Sequence, residues 1–518
     1  MDLTPPLGAS TTPVRARDRA RALTRHLPSP VLLGALVVAI AALNVWWRTL
    51  ETRPPHWDMA HHLGNSLVYL HGFSLTHPLP FLDGYLFYPP LVYWVTDVFY
   101  AALGNEAMWV AVLSNVVWLA ILVFATYGIG RRLWNARVGW LSVVFVVTAP
   151  MIVSSFKDYM LDVPLTAVAA LSLYLLMRAD GFSSRRYSLL FGVACGCGLL
   201  VKWTLPLVLA LPLVHASALA LAAARRRRQF DRLVNLAVAA ALAFAVAGTW
   251  YVHNLHQVLG SLVQYNGPEG VAQGNPPTRS LASVLWYVWN LLNNQLYLLP
   301  FLFALVGILF CFRKRELATR NLYPILMVVG TYLTFTVLRH KDPRYTLPML
   351  PALAVVATSW LEYVSARVRV WGAAVFVTYG ALAFLVISFG TSILPKSVAL
   401  HLPSTSFTPT TVTVFGQNGY IEGPPTHENW HQVDAFRTMA MLPRSQRTFA
   451  YKGPDSIWFN LHGLNYYALR YEARWAEVAD ARFLIDRGAD DATSPRGYAR
   501  LERWRLPDGG MLALYERV

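Results

Sequence analysis

The sequence predicts a polytopic α-helical membrane protein with about 11 spans, a large first external loop and a soluble C-terminal α/β domain. Of its 518 residues, 55% are hydrophobic and only 14% are charged, whereas soluble domains carry roughly 25% charged residues. Long apolar runs recur over residues 30–395, and the composition turns polar beyond Lys396. These observations exclude a disordered chain, a fibrous repeat and an ordinary cytosolic enzyme.

The net charge of +16 is explained by membrane topology. The basic residues cluster in short loops between apolar runs: Arg131, Arg132 and Arg137; Arg185 and Arg186; Arg225, Arg226, Arg227 and Arg228; Arg313, Lys314 and Arg315. Cytoplasmic loops of membrane proteins carry such an excess of Lys and Arg, which sets their orientation. Nucleic-acid binding would need a basic face on a folded domain, so we expect no nucleic-acid partner.

The first elements in chain order are a tail and a retained span. Residues 1–29 hold five arginines and no apolar core, which indicates a disordered cytoplasmic tail. The run Val31–Trp47 is long for a signal peptide and is not followed by a small-residue cleavage site. Further spans are expected at 107–129, 138–154, 163–178, 188–203, 204–222, 233–252, 293–312, 322–338, 345–362 and 370–391. With this count, every basic cluster lies on the cytoplasmic side.

The stretch Tyr85–Leu103 does not fit that count as a full span. It contains the pair Pro89-Pro90, Asp97 and several aromatic residues, which favour an interfacial or re-entrant helix. Residues 50–106 are therefore predicted to form one external loop attached to a membrane domain that covers 30–395. Residues 155–162, 253–292 and 339–344 are the other external segments of that domain.

Residues 396–518 are expected to form an external α/β domain. Strand-like and helix-like runs alternate there: strands at Thr411–Phe415, Thr448–Tyr451, Phe483–Ile485 and Met511–Tyr515, and helices at Asp434–Met441 and Ile457–Leu469.

The first candidate for chemistry follows the first span directly. Asp58 comes after Pro54-Pro55 and beside Trp57, at the membrane surface. A carboxylate there needs only a hydroxyl within hydrogen-bond reach to act as a general base. The alternative is an interfacial loop that Trp57 anchors.

The second candidate is the acidic pair of the segment 155–162. If this segment is helical, Asp158 and Asp162 lie four residues apart on one face. Asp162 then begins a span, where a buried carboxylate costs about 2.5–3.5 kcal/mol and usually marks function. An ordinary helix start ahead of Pro164 is the alternative.

Cations form the remaining candidates. Lys202 interrupts an apolar stretch at the external end of a span, where it can meet a lipid headgroup or a leaving phosphate or simply extend to the interface. The external loop from Arg339 to Tyr345 also contains Lys341 and Arg344, against the positive-inside pattern. Several external cations beside the membrane suggest phosphate or pyrophosphate binding, and a turn stabilised by Asp-Pro is the alternative. Carboxylates and cations at one face suit group transfer from a lipid-phosphate donor.

Five motifs in order support a family resemblance: Trp57-Asp58; Tyr88-Pro89-Pro90-Leu91 with Tyr93-Trp94; Leu161-Asp162-Val163-Pro164-Leu165; Leu199-Leu200-Val201-Lys202; and Arg344-Tyr345-Thr346-Leu347-Pro348. Over roughly residues 30–395 the chain resembles the GT-C superfamily of polyprenyl-phosphate-sugar-dependent glycosyltransferases. The closest branch is the one that contains protein O-mannosyltransferases and the lipid A aminoarabinose transferase.

The resemblance implies roles for individual residues. Asp58 corresponds to the catalytic base, Asp162 to a second catalytic acidic residue, and Lys202 and Arg344 to donor-phosphate ligands. Lys341 and Arg339 are added to the phosphate ligands, while Asp158, Tyr88, Tyr345 and Trp57 are assigned to substrate binding. Many aminoarabinose-type members have Lys before Pro-Pro where this chain has Tyr88.

The implied reaction is an inverting transfer at the external, periplasmic face of the inner membrane. An acceptor hydroxyl on a lipid, a protein or a glycan gives its proton to Asp58 and attacks a sugar carried on polyprenyl phosphate. No cofactor is required. His56, His61 and His62 match no closed metal site, so a divalent metal is not favoured. The main alternative is a lipid or sugar transporter or flippase, whose ionisable groups are expected near the membrane midplane. A membrane scaffold that binds partners through 396–518 is a further alternative.

Overall fold

The computed structural model describes residues 29–74, 76, 79, 82, 87–390, 397–401, 411–416, 421–488 and 494–518. Most of the predicted tail, the start of the Tyr85–Leu103 stretch and parts of the predicted loop 50–106 lie outside these residues. The rest is a helical domain followed by a smaller domain built on a β-sheet, as the sequence predicts.

The helical domain runs to Phe389. Its helices are α1 Ser29–Leu50, α2 Trp57–Gly72, α3 Leu91–Leu103, α4 Met108–Leu133, α5 Ala136–Val147, α6 Pro150–Lys157, α7 Asp162–Ala179, α8 Arg185–Val201, α9 Leu205–Arg227, α10 Asp231–Gln264, α11 Leu281–Asn290, α12 Leu298–Arg313, α13 Arg315–Arg320, α14 Leu322–Val337, α15 Leu350–Ser359 and α16 Ala366–Phe389.

Each of the 11 predicted spans coincides with a helix or with a bent pair of helices. Within the described residues, six helices are long and apolar enough to cross a membrane, and the pair α5–α6, bent by 60°, makes a seventh. The break lies at Thr148 and Ala149, and Pro150, the first residue of α6, has no N–H with which to continue α5. Four shorter apolar helical stretches, including α3 and α14, also belong to the domain. The chain is therefore an integral membrane protein, and the count of 11 stays a prediction.

Burial separates a central helix from peripheral ones. The apolar window of α7 is 83% buried, against 22% for α1. The helices around α7 also pack closely, because small residues let their backbones approach each other, as is usual between membrane helices. At Gly192 of α8, an added Cβ would lie 2.4 Å from the carbonyl oxygen of Ala239 on α10. The central position of α7 matters because Asp162 is its first residue.

Two sheets follow the helical domain. Strands β1 Ser397–His401 and β2 Thr411–Gly416 form an antiparallel ribbon. The C-terminal sheet contains β3 Thr448–Lys452, β4 Arg474–Trp475, β5 Phe483–Arg487, β6 Tyr498–Arg505 and β7 Met511–Arg517 in the order β4-β3-β5-β7-β6. Its helices are α17 Gln432–Ala440 and α18 Leu461–Tyr471.

The C-terminal domain is fixed to the helical domain by specific contacts. Helix α18 packs against α2, the helix that carries Asp58. The indole N–H of Trp47 donates to the carbonyl oxygen of Gly423 at 3.1 Å. An ion pair of 3.0 Å joins Arg53 to Glu422. These contacts place the segment around Glu422 beside the start of α2.

Candidate active site

An ion-pair network centred on Arg344 links two regions of the chain. One guanidinium nitrogen, Nη2, lies 2.8 Å from Asp58 Oδ2. The same guanidinium forms a fork on Asp342, with 2.9 Å from Nε to Oδ1 and 2.7 Å from Nη2 to Oδ2. Such a fork fixes the orientation of an arginine as well as its charge. The loop from Arg339 to Tyr345 thus contributes a second residue to the network, Asp342, which entered the predictions from sequence only through the alternative of a turn stabilised by Asp-Pro.

Local structure explains how these groups meet. Asp58 lies in the first turn of α2, where a carboxylate interacts favourably with the helix dipole. The loop that carries Arg344 connects α14 to α15. Buried amides of Asn290 and Gln295 both donate to the carbonyl oxygen of Pro343, at 2.9 and 2.6 Å. The Arg344 loop is therefore held in place independently of Asp58.

The network keeps Asp58 ionised. Burial opposes its ionisation, but the positive charge of Arg344 and the hydrogen bond from it prevail, and the pKa of Asp58 lies far below its usual value. The carboxylate side chain still has 52% of its surface exposed. Asp58 is therefore an accessible carboxylate that carries no proton at neutral pH.

A second, buried ion pair joins two further predicted site residues, Lys202 and Asp162. Lys202 directly follows α8, and its Nζ donates to Asp162 Oδ1 at 2.9 Å. Cations are favoured at the C-terminal end of a helix and anions at the N-terminal end, so both residues suit their places. The salt bridge uses one of the three N–H groups of the ammonium ion. Both side chains line the same cavity as Asp58.

Two cavities meet at the Arg344 network. The first, of about 280 Å³, is bounded mainly by the membrane domain and by the kinked segment that follows α10, Tyr265–Glu269. The second, of about 600 Å³, is bounded by the start of α2, by α6 and by C-terminal residues around Glu422 and Trp458. The residues common to both walls are Asp58, Met160, Asp342 and Arg344. A molecule in either cavity can therefore reach the same carboxylate.

Aromatic side chains complete the first cavity. Tyr88 and Tyr345 both line it. The hydroxyl of Tyr345 lies 2.7 Å from His340 Nδ1, and the ring of Tyr88 packs against His62 with centroids 4.9 Å apart. Lys202 lies 5.7 Å from the centroid of the Tyr345 ring. The predicted residues Tyr88 and Tyr345 are thus brought together with Lys202.

The acidic pair of 155–162 is divided between the two cavities. Asp158 follows the end of α6 and Asp162 begins α7, so the expectation that both lie on one helix face is wrong. The chain breaks the helix between them, and Asp158 lines the second cavity while Asp162 lines the first. Asp158 lies 3.5 Å from His56 Nε2.

Three predicted site residues lie away from the junction, the place where the two cavities meet at Arg344. The ammonium of Lys341 donates to the carbonyl oxygens of Phe335, Thr336 and Leu338 at 2.7–2.8 Å, and so caps the end of α14. Arg339 packs near Gly270, and Trp57 contacts the ring of His462 with centroids 5.5 Å apart. Among the described cavity-lining residues, none of the three is present.

Sequence reasoning missed several polar residues at the cavities. Glu269 and Gln273 line the first cavity, and Gln273 Nε2 donates to Glu269 Oε1 at 2.8 Å. The sequence signal that could have identified Glu269 is its place directly after Gly267-Pro268 in a segment expected to be external. Glu422 and Trp458 of the second cavity lie more than 260 residues from Asp158, and nothing in their local sequence marks them.

The described residues contain no group of three or more His, Cys, Asp or Glu side chains placed to hold a metal ion. His62 instead pairs with the hydroxyl of Tyr93 at 2.9 Å. The geometry at the junction is that of ion pairs and hydrogen bonds.

Comparison with known proteins gives one family match, over residues 88–252, to the family described as dolichyl-phosphate-mannose-protein mannosyltransferase. Curated relatives named undecaprenyl phosphate-alpha-4-amino-4-deoxy-L-arabinose arabinosyl transferase include one from Erwinia tasmaniensis, 27% identical over 285 residues, which cover 53% of this chain and 50% of the relative. One from Yersinia pestis is 24% identical over 298 residues, which cover 56% and 52%. The chain thus spans about half the length of the curated relatives it matches.

Solved structures extend the likeness to nearly the whole chain. ArnT from Cupriavidus metallidurans bound to undecaprenyl phosphate superposes with a TM-score of 0.56 at 18% identity, over 93% of this chain and 97% of that one. The apo state of the same protein gives 0.57 at 16% identity, over 94% and 98%. The chain thus shares the fold of these ArnT structures, and the predicted arrangement of a helical membrane domain followed by a smaller C-terminal domain is confirmed.

Proposed function

We propose that this chain is an inverting membrane glycosyltransferase that moves a sugar from polyprenyl phosphate to an acceptor hydroxyl. The observation that carries the proposal is the meeting of two cavities at one ionised, accessible carboxylate, Asp58, held by Arg344. A two-substrate transfer needs this arrangement, with a donor and an acceptor on opposite sides of the group that accepts the proton. The names of the relatives, which include an undecaprenyl-phosphate-dependent transferase, support a lipid-phosphate donor.

The first cavity is assigned to the donor. Membrane helices supply its apolar walls, and Lys202 supplies a cation with N–H groups beyond the one that Asp162 uses. Arg344 supplies a second positive charge: Asp342 and Asp58 hold its Nε and Nη2, and its Nη1 is assigned to the phosphate. In this scheme Asp162 positions Lys202, and Asp342 positions Arg344. Tyr88 and Tyr345 flank the sugar.

The reaction breaks the bond between the anomeric carbon and the phosphate oxygen while the acceptor oxygen bonds to that carbon. The leaving electron pair goes to the phosphate, whose charge Lys202 and Arg344 stabilise. The acceptor proton goes to Asp58. Because a carboxylate of low pKa is a weak base, the proton moves late, once the acceptor oxygen has become acidic through bonding to the sugar. Polyprenyl phosphate and the glycosylated acceptor are the products.

The test is turnover of purified protein in detergent or nanodiscs with a panel of polyprenyl-phosphate-linked monosaccharides. Formation of polyprenyl phosphate by the wild-type chain and its loss in Asp58→Asn supports the proposal. Equal turnover by both proteins would contradict it.

The active junction and the C-terminal domain are assigned to the external, periplasmic face of the inner membrane. This assignment rests on the positive-inside rule, which places the basic cluster at Arg225, Arg226 and Arg227 in the cytoplasm and the segments of the site on the opposite side. We expect a cysteine introduced at Arg226 of a cysteine-free variant to be protected from an impermeant thiol reagent in intact cells, and one at exposed Glu472 to be labelled. The reverse pattern would overturn the orientation.

A further inference from the structure

The second cavity lies between the membrane domain and the C-terminal domain with its connecting segment. Glu422, Thr426 and Trp458 lie in its wall, opposite Asp158 of the membrane domain. These residues come together only when the C-terminal domain docks on α1 and α2, through contacts such as Trp47 to Gly423 and Arg53 to Glu422. The C-terminal domain and its connecting segment therefore supply one wall of a cavity at the proposed catalytic carboxylate.

The two cavities differ in how their cations are engaged, although carboxylates outnumber guanidinium and ammonium groups in both walls. The second cavity has no lysine among its described lining residues. Its own guanidinium, Arg53, forms a fork on Glu51 at 3.0 and 2.6 Å and pairs with Glu422 at 3.0 Å. A phosphate in this cavity would face Asp158 and Glu422, with Arg344 on the shared wall but without a lysine comparable to Lys202.

The groups that face the second cavity suit hydroxyl-rich ligands. Asp158 is paired with His56 and Glu422 with Arg53, but an ionised carboxylate has about four acceptor sites and can take further hydrogen bonds from O–H groups. Trp458 adds a large apolar surface with a fixed orientation, because the guanidinium of Arg53 lies 4.3 Å from its ring centroid. An aromatic ring beside hydrogen-bonding carboxylates is complementary to a sugar, which has apolar C–H faces and hydroxyls at its edge.

We propose that the second cavity binds the acceptor, and that the acceptor is the hydroxyl of a saccharide without phosphate groups, held by Trp458, Glu422 and Asp158. This inference rests on the proposed function, since it names the acceptor of that same reaction. It assigns acceptor choice to the C-terminal domain. Under this proposal neither a phosphorylated glycolipid nor a serine or threonine side chain of a peptide is the preferred acceptor.

The experiment compares three acceptors with one active polyprenyl-phosphate sugar donor: a synthetic lipid with a terminal neutral disaccharide, the same lipid phosphorylated on that disaccharide, and a serine-containing peptide. We expect transfer to the neutral lipid at least tenfold faster than to the other two. Trp458→Ala and Glu422→Gln should raise the KM for the neutral lipid about tenfold or more, with little change in the donor KM. Trp458→Phe, which keeps an aromatic ring, should recover part of the loss even where Trp458→Ala folds poorly.

Matched controls come from the same domain. Trp475→Ala removes a partly exposed tryptophan of β4, and Glu472→Gln neutralises a carboxylate paired with Arg444. Both lie outside the cavities, and both should leave the acceptor KM unchanged. Faster transfer to the phosphorylated lipid or to the peptide would overturn the acceptor assignment while leaving the transferase intact. So would an unchanged acceptor KM in folded Glu422→Gln, or in Trp458→Ala where that variant folds. Failure of wild type to consume any donor would instead overturn the proposed function and this inference with it.

Discussion

The two cavities of this protein share one wall and differ in almost everything else. The smaller is enclosed by membrane helices and contains Lys202, which is held by a single carboxylate. The larger lies between the membrane domain and the C-terminal domain, and Arg53 in its wall is paired with Glu51 and Glu422. In the proposed reaction both cavities are used, because the wall that they share contains Asp58 and Arg344. The comparison teaches that the position of a cation does not define its role: Lys202 has one carboxylate partner, whereas Arg53 has two.

The largest effect is expected at the shared wall. Asp58→Asn keeps the shape of the side chain and removes the proton acceptor, so turnover should fall by about 10²–10⁴-fold. Binding of each substrate should change far less, because neither cavity loses its other residues. Steady-state rates and separate binding measurements on the purified variant test this. Near-normal turnover would remove Asp58 from the mechanism.

Arg344 should show the next largest effect. Arg344→Ala should lower donor kcat/KM by about 10²-fold, since it removes a charge-stabilising donor. Arg344→Lys should also be strongly impaired, because a point charge cannot reproduce a fork held by Asp342 and directed at Asp58. Full activity of Arg344→Lys would indicate that charge alone is needed. Donor-dependent kinetics of the two variants in one preparation separate these outcomes.

The pH profile sharpens the role of Arg344. Its charge holds the pKa of Asp58 well below the usual range, so the wild-type carboxylate stays ionised as the pH falls. In Arg344→Ala that pKa rises, and protonation removes the base at a higher pH. The acid limb of kcat/KM should therefore move up by roughly 1–3 pH units. An acid limb at the same pH in both proteins would contradict the ion pair as the cause.

A smaller effect is expected at Asp342. Asp342→Asn can still accept the backbone N–H of Arg344, which lies 2.8 Å away, but it loses the charge that orients the guanidinium. Donor kcat/KM should fall by about tenfold, the value of one charge-assisted hydrogen bond. Asp342→Ala should be worse, since it also removes the turn contact. Equal activity of the Asn and Ala variants would show that the turn has no part in positioning Arg344.

The smallest effect on donor use is expected at Lys341. Its ammonium caps three carbonyl oxygens at the end of α14, so Lys341→Met should lower the unfolding temperature and leave the donor KM within about two- to threefold of wild type, as expected for a side chain outside the site. A rise in donor KM matching that of Lys202→Met would place Lys341 in the phosphate site, as the sequence pattern suggested.

The sequence predicted the features that depend on local pattern. Apolar runs gave helices at all 11 predicted spans, and strands appeared at Thr448, Phe483 and Met511 because β-favouring residues occur in short runs there. The edge strands β4 and β6 were missed, since exposed residues and charges hide an alternating pattern. β2, although predicted, pairs with β1 outside the main sheet.

Only those site residues could be predicted that stand out in their local sequence. Asp58, Asp162, Lys202 and Arg344 could be chosen because charged residues next to apolar runs need a reason. Lys341 meets the same criterion, yet it caps a helix. Only its contacts distinguish it from Lys202. Glu422 and Trp458 reach Asp158 through domain docking, a long-range contact that no local pattern records.

The most direct test of the account is binding of polyprenyl phosphate, the proposed product, to wild type, Lys202→Met and Glu422→Gln. The measurement needs no knowledge of the sugar or the acceptor. The account predicts that Lys202→Met weakens binding at least tenfold, whereas Glu422→Gln binds like wild type, because the phosphate occupies only the first cavity. Equal binding by Lys202→Met and wild type, or an equal loss in Glu422→Gln, would contradict the division of the two cavities between donor and acceptor.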